Sequence, residues 1–344
     1  LAEAKQTTKF INHLKPKTTM TYLENSKQYT GTDLESIFFR PMLTGQSAQE
    51  LGVRVLYNMP QPTHIQLWDG QRNILQKFTS SGWTGGAPAV KYEKTVNLSR
   101  VKAELGFSAA DYFSMVYEKI TALANVNMDD LSGTDLEQAE TALFRQALAE
   151  NIRATMWVGD TSAASGYNTF DGFLKQISAQ VTDDIIYNFT YQESALNDPA
   201  YVVELFDKLW NKADLRVQDL KADGQLAFFV TSDLCHLYEK YLDSKGADAA
   251  YTDAVNGRGT LAYHGIPVID VRLGGYLAGS SFHQSFGMLT DRRNLVLAVN
   301  TADMPGNEVR MWYNPDEMEN RQRAVFMAGS QILDGNLITY AYRQ

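Results

Sequence analysis

The stretch from Thr134 to Val158, TDLEQAETALFRQALAENIRATMWV, constrains what this chain can fold into more than any other. Apolar residues recur at Leu136, Ala139, Leu143, Ala147, Ala154 and Trp157, with a neighbouring row at Phe144, Leu148, Ile152 and Thr155. That is the 3.6-residue repeat of a helix buried on one broad face. The opposite face is polar, carrying Glu137, Gln138, Thr141, Arg145, Glu150 and Arg153. Thr134 and Glu137 have the T-x-x-E capping-box spacing, and Gly159 supplies a stop. At about 1.5 Å per residue the helix spans roughly 35 Å, the width of a small domain. The rest of the chain has to be arranged around a strut of that length.

A chain of 344 residues exceeds the usual size of a single core, so two packed lobes, or one lobe with arms, are expected. The formal net charge of -9 argues against gripping nucleic acid through a broad basic face, a mode that needs Lys and Arg to displace counterions from phosphates. One cysteine, Cys235, permits no internal disulfide and fits synthesis in a cytosol. No apolar run approaches the roughly 20 residues that span a bilayer, so no membrane role is expected. No signal peptide is read in the first residues, and the start at Leu1 rather than Met is read as processing or a trimmed boundary.

Residues 1 to 50 are polar and aperiodic, with Lys5, Lys9, Lys15, Lys17 and Lys27 against Glu3 and Glu24 in the first thirty. Phe10, Ile11, Leu14, Ile37, Phe38, Phe39 and Leu43 are too apolar for a permanently solvated tail, which points to an arm docked on something, such as another subunit. Val53 to Tyr57 and Ile65 to Trp68 read as short strands around the Pro60 and Pro62 turn. A hairpin then follows, from Ile74 to Phe78 and Ala89 to Leu98, around the glycine-rich SSGWTGGAP. It has too few residues for a core of its own and is expected to project, with Trp83 at its tip as an anchor on another chain. Residues 108 to 124 read as an amphipathic helix capped by Ser108.

The second half changes character. Asp198-Pro199 opens a helix with apolar Val202, Leu205, Phe206, Leu209 and Trp210. Leu226 to Val230 is a fully apolar strand, and Ser232 is read as the cap of a helix through Leu242, with Gly246 as its terminator. Leu261 to Val271 gives two strand pieces broken at Gly265. Ser285 to Thr290 and Leu295 to Val299 read as antiparallel strands joined by the turn DRRN. Further strands are expected at Val309 to Tyr313, Ala324 to Leu333 and Leu337 to Tyr342, with Asp334-Gly335-Asn336 as a final hairpin turn.

No catalytic constellation emerges. There is no phosphate-binding G-x-x-x-x-G-K-[ST] loop, no G-x-S-x-G elbow and no H-E-x-x-H pair. His13, His64, His236, His264 and His283 are scattered, and Asp129 and Asp130 read as a solvated loop before a helix. Cys235, beside Leu234 and Leu237, reads as a buried structural thiol. No catalytic residue, metal site or cofactor is therefore assigned.

The order of these features resembles the major capsid protein of tailed bacteriophages, the HK97-like α+β fold. The residues that carry the likeness are the long helix ending in Gly159-Asp160, the pair Gly172-Phe173-Leu174, the strand LAFFV, the helix from Ser232, the triplet Gly265-Ile266-Pro267 and the segment GMLTDRRNLVLAV. The resemblance implies an N-terminal arm at 1–45, an extended loop at 64–97, a peripheral domain from 46–63, 98–199 and 305–344 with a spine helix at 134–158, and an axial domain at 200–304. It implies a homo-oligomer of hexamers and pentamers that forms an icosahedral shell in the virion and encloses DNA without sequence-specific binding. Scaffold, portal and decoration proteins are the further partners it implies. Candidate contacts between subunits are Trp83, Phe10, Phe38, Phe39, Arg145 and Arg153. An encapsulin-like compartment shell and an α+β enzyme built around His264 and Asp270 are the alternatives.

Overall fold

The computed structural model of the chain describes residues 27–29, 37, 52–58, 63–68, 91–108, 135–245, 261–278, 280–300, 308–314, 316–317 and 319–344. The expected helix is present as α1, Asp135–Val158. Of its buried side chains, Phe144, Leu148 and Ile152 follow one predicted apolar row and Trp157 the other, while Met156 lies in neither row, and all five lie in one cluster with residues of two separate sheets.

The first sheet runs in the order β1 (Lys27–Tyr29), β12 (Glu308–Asn314), β13 (Glu319–Ile332), β11 (Leu295–Asn300) and β2 (Arg54–Tyr57), and β5 (Ser99–Ser108) also pairs with β13. β13 is its organiser. Its residues alternate between buried Asn320, Gln322, Ala324, Phe326 and Ala328 and half-buried Arg321, Arg323, Val325 and Met327, as a pleated strand with one face on the core requires. β5 was not anticipated as a strand. SRVKAELGFS nevertheless alternates, with Val101, Ala103 and Leu105 packed on the core and Lys102 and Glu104 outside as a 2.9 Å ion pair.

The second sheet runs β6 (Tyr187–Tyr191), β14 (Thr339–Arg343), β10 (Phe286–Asp291), β7 (Leu226–Val230), β9 (Ile266–Asp270) and β8 (Ala262–Tyr263). β7 is buried throughout, as its unbroken apolar run demands. One face takes Trp157 of α1 and α2 (Phe173–Thr182); the other is covered by α3 (Tyr201–Asn211) and α5 (Ser232–Ser244). The short helices α4 (Leu215–Asp219) and α6 (Gly274–Leu277) also belong to this half. The break at Gly265 is a tight turn in which both His264 and Gly265 have positive φ, at 48° and 81°.

Four sequence readings change. Arg292–Asn294 does not join a hairpin: β10 belongs to the second sheet and β11 to the first, so this 3₁₀ turn passes the chain between sheets. Asp334 to Leu337 does the same between β13 and β14. Both strand pairs are apolar on either side of their turns, so each strand can find a better-matched neighbour elsewhere. The projecting hairpin is made by β3 (Thr63–Trp68) with β4 (Lys91–Val96), while β2 pairs in parallel with β11 instead of with β3. Ser232 is not a cap. Its hydroxyl donates to the Asp270 carboxylate at 2.9 and 3.0 Å, and the first turn of α5 closes from Cys235 N–H to the carbonyl of Thr231.

Ser108, read as a helix cap, is the last residue of β5, paired with Glu319, while the expected strand 74–78, the helix residues 109–124, Asp129, Asp130, Thr134 and the terminator Gly246 lie outside the described residues. Among the described residues, no helix is long and apolar enough to cross a membrane.

Candidate functional site

The C-terminal end of α1 is where the two sheets, α2 and an exposed loop converge. After Val158 the chain runs through Gly159-Asp160 into a loop that returns at Asp171-Gly172 to begin α2. The two limbs cross in backbone contact. Gly159 N–H donates to Thr155 O at 2.9 Å, Gly172 N–H to Gly159 O at 2.8 Å, and Asp160 N–H to Tyr167 O at 2.9 Å. A Cβ at position 159 would lie 2.2 Å from Phe170 O, and one at 172 would lie 2.6 Å from both Gly159 N and Trp157 O. Only hydrogen fits in either place.

A charged clasp holds the crossing from outside. Lys175 Nζ stands 2.7 Å from Asp160 Oδ1 and 2.7 Å from Asp171 Oδ1, and donates to Thr161 Oγ1 at 3.2 Å. Asp171 Oδ1 also accepts from the Thr161 N–H at 2.9 Å and hydroxyl at 2.7 Å, and Asp160 Oδ1 accepts from Ser162 N–H at 2.8 Å. The Lys175 bond, aided by Ser162, lowers the Asp160 carboxyl to about 2. For Asp171, burial pushes upward, but the bonds from Lys175 and Thr161 outweigh it and the net direction is down. Lys175 is raised, first by Asp160 and then by Asp171. These directions favour an ion cluster and oppose amide formation between lysine and carboxyl, which needs the neutral forms of both groups.

A pH dependence follows from the sign of those shifts. A carboxylate whose folded pKa lies below its unfolded value stabilises the fold above the unfolded value and loses that contribution as pH falls through the folded one. The clasp is therefore expected to hold at neutral pH and to release between about pH 4 and pH 2, losing on the order of 1 kcal/mol once solvent screening is discounted. Thermal melts of the chain and of Asp160→Asn across that range measure it. The wild-type advantage should vanish at the acid end, and an unchanged gap would remove the clasp from the account.

Side-chain amides fasten this region to the sheets. β5 pairs with β13 only as far as Ala328, and beyond it Gln176 of α2 serves the exposed backbone: its Nε2 donates to Ser330 O at 2.9 Å and its Oε1 accepts from Ile332 N–H at 2.9 Å. Asn294 ties the two sheet-changing turns together, donating from Nδ2 to Asp334 O and accepting at Oδ1 from Asp334 N–H, both at 2.8 Å. Neither amide was singled out from sequence, and nothing local in either segment marks it. The Asp171-x-x-x-Lys175 spacing was a readable signal for half of the clasp.

Trp83, Phe10, Phe38 and Phe39 lie outside the described residues. Arg145 is half-buried and its guanidinium reaches Ile37 O at 3.5 Å, so one of its contacts lies within its own chain, on the segment that precedes β2. Arg153, two turns further along α1, is also half-buried.

Among the described residues, the scattered titratable groups are not brought into a catalytic set. Asp270 accepts from Ser232 and from Arg272 N–H, His264 packs edge-on against Tyr263, and His283 stacks on Tyr342. Ser285 is buried between the Tyr191 hydroxyl and the Asp233 carboxylate, with no histidine in that network to take its proton. Cys235 is half-buried, less enclosed than the sequence reading expects, and burial pushes its thiol up to about 12, which keeps it protonated at neutral pH. Among the described residues no cluster of three or more His, Cys, Asp or Glu side chains could hold a metal ion.

The hairpin β3–β4 forms a sheet of its own, joined to the body at its base. There Val96 and Leu98 are buried against Ala298 of β11, with Leu56, Ile65 and Met327 beside them. Gly329 of β13 permits this junction, since a Cβ there would sit 2.2 Å from Asn97 O. Diagonal to one another across the hairpin, His64 and Glu93 form a 2.7 Å pair that stays half in solvent.

No protein-family model matches the chain, and no curated protein sequence matches it. Solved structures do. A chain of the satellite phage P4 procapsid, a particle that includes the size determination (Sid) protein, superposes with a TM-score of 0.54 over 88% of this chain and 96% of that one, at 10% identity. The capsid of Myoviridae phage XM1 gives a TM-score of 0.48 at 12% identity over 87% of this chain and 92% of that one. Gordonia phage Cozz gives 0.47 at 11% identity over 85% of each. The first of these likenesses carries the assignment of fold: α+β, of the HK97-like kind found in a phage procapsid.

Proposed function

We propose that this chain, built on the fold of a phage procapsid protein, is a structural shell subunit. In this reading, copies assemble as hexamers and pentamers into an icosahedral particle that encloses double-stranded DNA in the virion, and the chain has no catalytic role. The observation that carries the proposal is the likeness to the P4 procapsid chain, which covers 88% of this chain and 96% of that one.

The parts have a mechanical logic under this reading. The sheet around β13 with α1 would be the peripheral domain and the sheet around β7 with α3 and α5 the axial domain that meets its copies around symmetry axes, which takes β11 out of the expected axial span 200–304 and brings β6 and β14 into the axial sheet, and β3–β4 would be the stem of the extended loop. Hairpins of two strands gain little stability alone, so this loop is served best by lying on a neighbour. A closed shell multiplies modest interfaces by symmetry into a stable whole. An acidic wall would hold DNA without the many phosphate contacts that obstruct its entry and exit. Scaffold, portal and decoration proteins would be the partners of such a shell.

Purified chain, placed under a range of assembly conditions, should give particles by size-exclusion chromatography and negative-stain microscopy. A monomer under all of them would leave the proposal unsupported. Trp83→Ala is expected to reduce particle yield at least tenfold, the loss of an interface anchor worth about 2 kcal/mol per contact, while the melting temperature of the unassembled chain stays within a degree. Equal losses in both would place Trp83 in the subunit's own core.

A further inference from the structure

We propose that the outer edge of β6 is a docking site for the N-terminal segment Lys9–Lys15 of a second copy of this chain. β6 is the outermost strand of the second sheet: among the described residues it pairs only with β14, in parallel, and its other edge carries no strand. Such an edge presents free N–H and C=O groups and is a template for an added strand. Beside it stand two of the large apolar side chains most exposed among the described residues, Ile185 and Tyr187, each 42% exposed.

The charge pattern selects the occupant. Exposed Asp183 and Asp184 lie before the strand, and Glu193, 80% exposed although 3.4 Å from Arg343, lies after it. The sequence Lys9-Phe-Ile-Asn-His-Leu-Lys15 is the complement, an apolar centre with a lysine at each end. In extended form Lys9 and Lys15 stand about 20 Å apart, the same span as Ile185 to Tyr191.

Alternation puts Phe10, Asn12 and Leu14 on one face and Lys9, Ile11, His13 and Lys15 on the other. With the first face toward Ile185 and Tyr187, the arm's lysines point away from Lys208 and Lys212, which sit over the Phe189 and Tyr187 rings on the α3 side. Residues 1–30 hold five of the chain's 31 lysines and arginines but only two of its 40 aspartates and glutamates, so the arm is basic and the body acidic. β1 anchors the chain at Lys27 on β12 of the first sheet, and residues 16–26 link that point to Lys15. Fully extended that link spans about 40 Å, more than the width of a small domain.

Equal amounts of ¹⁴N- and ¹⁵N-labelled full-length chain, mixed under assembly conditions and treated with a carbodiimide, test the site. Mixed-isotope peptides should join Lys9 or Lys15 to Asp183, Asp184 or Glu193. They should fall at least fivefold in Ile185→Ser/Tyr187→Ser with its melting temperature unchanged. Should that variant unfold, Lys9→Glu/Lys15→Glu leaves the body untouched and should speed amide hydrogen exchange at 187–191. Links confined to one isotope, arm lysines joined elsewhere, or exchange unaffected by the arm variant would overturn the proposal. It rests on the assembling reading only in needing two copies in proximity, and sedimentation of the same samples separates the two. Particles without these links refute the docking site alone, whereas links in small oligomers that never close uphold it and count against the shell.

Discussion

Trp157→Ala is expected to destabilise the chain by about 3–5 kcal/mol, enough to unfold a marginal domain. The indole is 1% exposed and lies edge-on to Phe173 with ring centroids 5.3 Å apart, 5.9 Å from Phe229 and 6.1 Å from Phe286. Those neighbours come from α2, β7 and β10, so truncation opens a cavity that the helix, α2 and the second sheet would all have to shrink to fill. Such a site cannot collapse cheaply, which places the cost in the upper range for aromatic deletions. Denaturant titration of the unassembled chain measures it. A loss below about 1 kcal/mol would mean that the spine and the second sheet are held together elsewhere.

Gly159→Ala is expected to cost about 3 kcal/mol, although it adds a single methyl group. That methyl would meet the backbone oxygens of Phe170 at 2.2 Å and Thr155 at 2.5 Å, so either the last turn of α1 opens or the loop limb lifts away. Gly274→Ala is the control: nothing lies within 4 Å of its added Cβ, and its stability should change by only a few tenths of a kcal/mol. Melts that place both variants at the same temperature would show that the crossing is not tight in solution.

How much of this was legible depended on whether the deciding contact was local. The spine declared itself because Phe144, Leu148 and Ile152 repeat at helical spacing, with Trp157 in the neighbouring row, and all four are buried. The same is true of α3, where Val202, Leu205, Phe206 and Leu209 fill one face, and of β7, whose five apolar residues are buried on both sides. β5 alternates legibly in Val101, Ala103 and Leu105 against Arg100, Lys102 and Glu104, but its apolar positions are few and small, a weak signal beside that of β7.

The sheet-changing turns were not readable. DRRN and DGN are good turn sequences whether the flanking strands pair with each other or part, and that choice belongs to residues far away, such as Phe228 against Leu289 and Ala328 against Val299. The same limit applies to the clasp. Asp171 and Lys175 announce a helical pair, but Asp160 reaches Lys175 only because two glycines let the chain cross itself.

The two turns joined by Asn294 have a consequence for how the molecule carries load. β10 continues into β11, and β13 into β14, so two unbroken stretches of backbone run side by side from one sheet to the other. Tension between the two halves would travel along those strands, and yielding would require whole ladders of hydrogen bonds to slip together instead of opening one rung at a time. In the shell proposed above, a wall under pressure from packed contents would gain from units that resist being pulled apart in this way.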